Sequence, residues 1–240
     1  MTLSVLQIGQ EALEEIGVDP PSSLTAGDLG AQLLALANTT GRDLLIRADR
    51  NGGWQALRTE GTFTTVADET QVANITTEYP YLRNFVQNTM WNRSTQRRIV
   101  GPVSSQAWQR FKADSLSPAT ELWHLRGNKI LFPSTPVAGQ SIYFEYFDKR
   151  FCSNAAGTTL QERFEADSDI PRLDDYLFIL GVRWRFLQKK GMEYGEAFRA
   201  YEDYVEACIG NDRPSETLSI NPHLRSEGFD TQIPDGNWNL

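Results

Sequence analysis

Residues Ile170–Gly210 read IPRLDDYLFILGVRWRFLQKKGMEYGEAFRAYEDYVEACIG and constrain the fold more than any other stretch. Leu173, Leu177, Leu180, Trp184 and Leu187 recur at spacings of three and four, which puts them on one face of a helix. Asp167 and Asp169 upstream, Pro171 in the first turn, and Asp174 and Asp175 near the positive dipole end mark its start. Lys189, Lys190 and Gly191 mark its end. A second stripe, Tyr194, Phe198, Tyr201, Val205 and Cys208, closes at Gly210. Gly181 and Gly195 each lower helix propensity by about 1 kcal/mol relative to Ala. Packing must therefore hold both helices, and their apolar faces need partners elsewhere in the chain.

The N-terminal third supplies such partners. Val5, Ile8, Ala12 and Ile16 predict a helix over residues 3–16 that stops at Gly17. After the rigid turn Asp19-Pro20-Pro21-Ser22-Ser23, a long helix is predicted from Asp28 to Arg50. Leu29, Leu33, Leu36, Leu44 and Ala48 form its buried side, Gly41 is a candidate kink, and Asn51-Gly52-Gly53 ends it. From Trp54 the period changes to two. Thr62–Val66 and Val72–Thr76 read as strands, while Leu82, Phe85, Val86 and Met90 fit either a strand or a short helix. Ser104–Ala113 reads as a brief helix with Ser104 or Ser105 as its N-cap. Glu121–Leu125, Lys129–Phe132 and Ser141–Phe147 are the clearest strands, with Gly127-Asn128 as a tight hairpin turn. Residues 152–168 read as a polar connector.

The predicted class is α+β. Residues 1–53 and 151–210 form one helical bundle, and residues 54–150 a β-rich insertion subdomain. Residues 211–240 form an extended C-terminal arm, punctuated by Pro214, Pro222 and Pro234 and unable to fold alone. Leu218, Ile220, Leu224, Phe229, Ile233 and Trp238 give that arm anchors for a partner.

Composition narrows the function classes. The 31 Asp+Glu against 23 Lys+Arg give a net charge of −8, which argues against a freestanding nucleic-acid binder. Cys152 and Cys208 stand far apart without CxxC spacing, and read as small buried hydrophobes rather than metal ligands or a disulfide. The first residues carry no basic region of a signal peptide, and no apolar run reaches the ~20 residues that span a bilayer. These features predict a soluble chain made in a reducing compartment, where the Asn38, Asn74 and Asn92 triplets are chance glycosylation matches.

Catalytic signals are weak. His124 and His223 are the two histidines, and His124, beside Trp123, reads as a hydrogen-bonded structural residue. No phosphate-cradling glycine loop precedes a helix, and Asp174/Asp175 and Glu202/Asp203 are neighbours whose side chains diverge. No catalytic residue, metal ligand or cofactor is assigned. An enzyme built on His124 and a nearby carboxylate remains the outlying alternative. The cluster Arg93, Arg97 and Arg98, beside Trp91, suits either salt bridges to acidic neighbours or contact with a phosphate backbone.

The run ELWHLRGNKILFPSTPVAGQSIYFEYF resembles a segment of the head-to-tail adaptor proteins of short-tailed phages, the tail tubular protein A or packaged-DNA stabilisation family. Trp123–Leu125, Gly127-Asn128, Ile130–Pro133, Pro136–Gly139 and Ile142–Tyr146 follow the family's order of strand, hairpin, strand, turn and strand. The opening EALEEIGVDPPSSL and the run DIPRLDDYLFILGVRWRFLQKKG, followed by an aromatic helix, are similar to the family's first and late helices. The resemblance implies a homo-oligomeric ring, typically a dodecamer, docked beneath the portal protein and extending the DNA channel to a downstream tail or nozzle protein. Duplex DNA would pass through the lumen without specific binding, repelled by an acidic wall. Residues 211–240 would be the portal-binding arm, and Tyr194, Tyr201, Tyr204, Arg97 and Arg98 are candidate subunit-interface residues, the alternative for the three tyrosines being to complete the bundle core of a single copy. The expected location is the virion neck or tail, after synthesis in the host bacterial cytoplasm, with no membrane partner. The competing reading is another tail or baseplate module that binds through exposed aromatics of residues 121–147.

Overall fold

The computed structural model describes residues 2–49, 53–113 and 121–212. Among these, the helices are α1 (Val5–Glu14), α2 (Gly27–Asp49), α3 (Ile75–Glu78), α4 (Ser105–Ala113), α5 (Asp175–Lys190) and α6 (Gly195–Asp212). The strands are β1 (Arg58–Thr64), β2 (Thr70–Val72), β3 (Leu82–Phe85), β4 (Trp91–Asn92), β5 (Arg97–Arg98), β6 (His124–Arg126) and β7 (Lys129–Leu131). They continue with β8 (Ser141–Asp148), β9 (Cys152–Ser153), β10 (Leu160–Gln161) and β11 (Ile170–Pro171). The fold is α+β, with all strand pairs antiparallel except an isolated Val100–Leu122 bridge.

Two hydrophobic clusters organise the molecule. The first gathers α1, α2, α5 and α6 around residues such as Ile8, Leu33, Leu44, Leu177, Phe178 and Val205. At the start of α1, Ser4 caps the helix and the Gln7 side chain returns the bond to the Ser4 amide, a capping box that contributes about 1 kcal/mol. Asp174 caps α5 by accepting from the Tyr176 amide, and Gly191 ends it in the left-handed region at φ 69°. Asp167 and Asp169 serve a different end. Asp167 Oδ1 accepts from Leu24 N at 2.8 Å, the Asp169 carbonyl accepts from Val5 N at 2.8 Å, and both hold the N-terminal helices. Pro171 lies in β11 paired with β9, ahead of the helix it was expected to begin.

The α5 helix is central rather than one-sided. Phe178, Ile179, Val182 and Arg185 are buried beside Leu177 and Leu180, because α1, α2 and α6 all pack on it. Gly41 does not interrupt α2. It leaves room for the Phe151 ring, which a Cβ at that position would strike. Residues 152–168, expected as a polar connector, form β9 and β10 and send Phe164 into the bundle core. There Asn38 pairs with the Phe164 backbone, donating to its carbonyl at 3.1 Å and accepting from its amide at 2.8 Å. Trp54 and Leu57, assigned to the insertion by sequence, also belong to this core, and Trp54 Nε1 donates to the Leu44 carbonyl at 3.0 Å. Gly210 lies within α6 rather than ending it.

The second cluster fills the β part. Strand β8 is its axis, with β1 along one edge and β3 and β4 in succession along the other. Its alternation sends Ile142, Phe144 and Tyr146 inward against Phe63, Met90, Ile99 and Trp123. Gly61, opposite Phe144, leaves space for that ring. A small sheet of β2, β7 and β6 adds Val72 and Ile130. The expected strand over Val72–Thr76 ends at Val72, because Asn74 caps the single turn α3 by accepting from Thr76 N at 3.1 Å. Likewise the first hairpin strand starts at His124 rather than Glu121.

The hairpin between β6 and β7 turns at Gly127 and Asn128, with φ of 56° and 60°, the two positive values that a type I′ turn requires. Nothing lies within 4 Å of a Cβ built on Gly127, so its replacement carries only the backbone cost. Gly127→Val is expected to lower stability by about 1–2 kcal/mol, read as a lower urea midpoint with an unchanged slope. An unshifted midpoint would refute this account of the turn.

Candidate functional site

The interface residues expected from sequence fall in distinct settings. Tyr201 is 0% exposed and its hydroxyl donates to Asp43 Oδ2 at 2.9 Å. It is a bundle-core residue and offers no surface to a second subunit. Around it, Arg185 reaches the same Asp43 oxygen at 2.8 Å, and Arg47 joins Asp43 at 3.0 Å and Glu202 at 2.6 Å. This node ties α2, α5 and α6 together. Burial alone would raise the Asp43 carboxyl, but the Tyr201 hydrogen bond and the two arginines outweigh it and hold it below its ordinary value. Burial and the Asp43 charge push the Tyr201 hydroxyl up.

Tyr204 is half-buried, donates to Asp174 Oδ2 at 3.1 Å, and meets Tyr176 edge-on at 5.0 Å. Burial and the Asp174 charge push its hydroxyl up to about 12. Tyr194 is exposed beside Trp184, with Met192 also exposed nearby. These side chains, with Tyr176, give the α5–α6 edge an aromatic surface. On the β part, Arg97 is exposed and Arg98 half-buried in β5. Arg93 pairs with Glu60 and lies over Tyr143 at 3.5 Å. The arm anchors Leu218, Ile220, Leu224, Phe229, Ile233 and Trp238 lie outside the described residues.

The other chemistry-bearing groups have structural settings. His124 Nδ1 sits 2.8 Å from the Val103 carbonyl, and its ring stacks on Trp108 at 5.0 Å. Cys152 is buried with its thiol pushed up, by burial first and then by Asp169 and Glu165. Among the described residues no group of three or more His, Cys, Asp and Glu could hold a metal. No described helix is long and apolar enough to cross a membrane.

One concavity escaped the sequence reading. A groove of about 840 Å³ runs along β3 and α3, where Tyr79, Leu82, Phe85 and Phe147 form apolar walls. Arg58 and Arg83 contribute cations, and the Arg58 guanidinium lies 5.5 Å from the Phe147 ring centre. The Tyr79 hydroxyl donates to the Thr62 carbonyl at 2.6 Å, and burial followed by Glu78 pushes it up to about 12. Its walls come from Gly53 to Phe147, so no local pattern announces it. Compared with known families and characterised proteins, the chain matches no family model and no characterised sequence.

Proposed function

We propose that this chain is a structural head-to-tail connector of a short-tailed phage virion, assembling into a ring beneath the portal. The observation that carries the reading is the ordered run of features resembling the adaptor family. In this chain they fall on α1, the Gly127-Asn128 hairpin, the aromatic strand β8 and the paired helices α5 and α6. Physical features support it. The Asp43 node braces three helices into a stiff unit suited to a ring wall, and a charge of −8 per copy suits a lumen that repels passing duplex phosphates.

In this reading Tyr194, Tyr204 and Arg97 meet a neighbouring copy, and the β part meets the next tail protein. Residues 211–240 extend to the portal through their apolar anchors. The chain is then made in the bacterial cytoplasm and leaves in the particle. Mixing the purified chain with portal-containing heads and imaging the vertex by electron microscopy tests this. A closed ring under the portal is expected, and it should be lost on deleting residues 211–240. A chain that stays free, or attaches only to distal tail parts, refutes the connector reading.

A further inference from the structure

The groove along β3 and α3 has an unusual character for so acidic a chain. Its described lining includes Arg58 and Arg83 but no Asp or Glu, beside the rings of Tyr79, Phe85 and Phe147. Such a surface selects a ligand that is both apolar and negatively charged, since carboxylates meet cations while rings meet rings. We propose that the groove is the seat of the chain's own residues 226–240, docked within the same molecule.

Composition and reach argue for this occupant. The segment SEGFDTQIPDGNWNL carries Glu227, Asp230 and Asp235 with no Lys or Arg, and offers Phe229, Ile233 and Trp238 as anchors. Charge and apolar character therefore both complement the groove. The last described residue of α6 is Asp212, whose Oδ2 accepts from Gln55 N at 2.7 Å. Gln55 lies between Gly53 and Arg58 in sequence, and both of these line the groove. Asp212, from which residues 213–240 continue, thus lies close to the groove. Residues 213–225 can span roughly 40 Å when extended, more than this neighbouring position demands. Docking within one molecule also gives the segment a high effective concentration that a separate chain lacks. The inference does not rest on the connector reading. Within that reading, the segment leaves the groove when it engages the portal.

The test uses the full chain with Trp238→p-benzoyl-phenylalanine, irradiated in dilute solution as a mixture of ¹⁴N and ¹⁵N protein so that links within and between chains separate by mass. Links within one chain to residues 79–87 and to Phe147 are expected. Reversing the tail charges (Glu227→Lys, Asp230→Lys, Asp235→Lys), which leaves residues 1–226 unchanged, should reduce them about tenfold. Adding Arg58→Glu and Arg83→Glu to that variant should restore them. Links only between chains would assign the groove to a second copy, and links elsewhere, or none, would also overturn the proposal. A chain that forms rings yet lacks these links would overturn this inference alone.

Discussion

Asp43→Ala is expected to lower the stability of the chain by about 3 kcal/mol, as removal of one member of a largely buried ion pair does. The substitution strips two groups at once. The Arg185 side chain, only 9% exposed, loses its carboxylate, and the buried Tyr201 hydroxyl loses its acceptor. Arg47 suffers less because Glu202 still holds it. The low end of the range for buried pairs applies, since the Asp43 side chain is 27% exposed and partly screened by solvent. The pH dependence has a definite sign. The carboxyl lies below its ordinary value of 3.8 in the folded chain, so its contribution is complete above that value and fades as pH falls through the depressed one. Urea unfolding at pH 7 and pH 3 should show the gap between wild type and Asp43→Ala narrowing in acid. A gap that stays constant or widens would show that Asp43 does not brace the helices in this way.

Phe151→Ala should cost still more, about 4 kcal/mol, and lower the melting temperature by roughly 10 °C. Phe151 is fully buried, with its ring 5.5 Å from Phe164 and 6.2 Å from Phe178, and it fills the space that Gly41 leaves open. Truncation leaves a cavity that surrounding helices cannot close without moving α2. Phe151→Leu retains most of the volume and should cost under about 1.5 kcal/mol. Equal losses for the two variants in thermal unfolding would mean that the site depends on something other than the filled volume.

The helices of the bundle were legible because their apolar residues recur with the helical period and their ends carry Pro, Gly and charged residues. The Gly127-Asn128 hairpin was legible because a turn with two positive φ values favours these residue types. The setting of Arg185 was not. Its partner Asp43 lies 142 residues away, and a stripe rule assigns one buried face to a helix that three others surround. For Tyr201 the sequence left an interface and the bundle core both open, since tyrosine suits either, and the position of Asp43 decides for the core. Strands of two residues, such as β9 and β10, show no period, so residues 152–168 read as a connector. The groove is assembled from residues spread between Gly53 and Phe147, and no window of sequence contains it.

The insertion of the β part between α2 and α5 sets a timetable for synthesis. Among the described residues, the strand partners of β1 to β8 lie within residues 58–148, so these pairings can form as soon as this part emerges. The inward faces of α1 and α2 have no such luck: Phe151, Phe178 and Tyr201 are translated later. At about 5–20 residues per second, making residues 58–150 takes roughly 5–20 s, during which Leu33 and Leu44 wait for cover. The helices made first are thus the last to be sealed, and a nascent chain stalled before α5 would present the ribosome exit with a sticky, half-clothed helix pair.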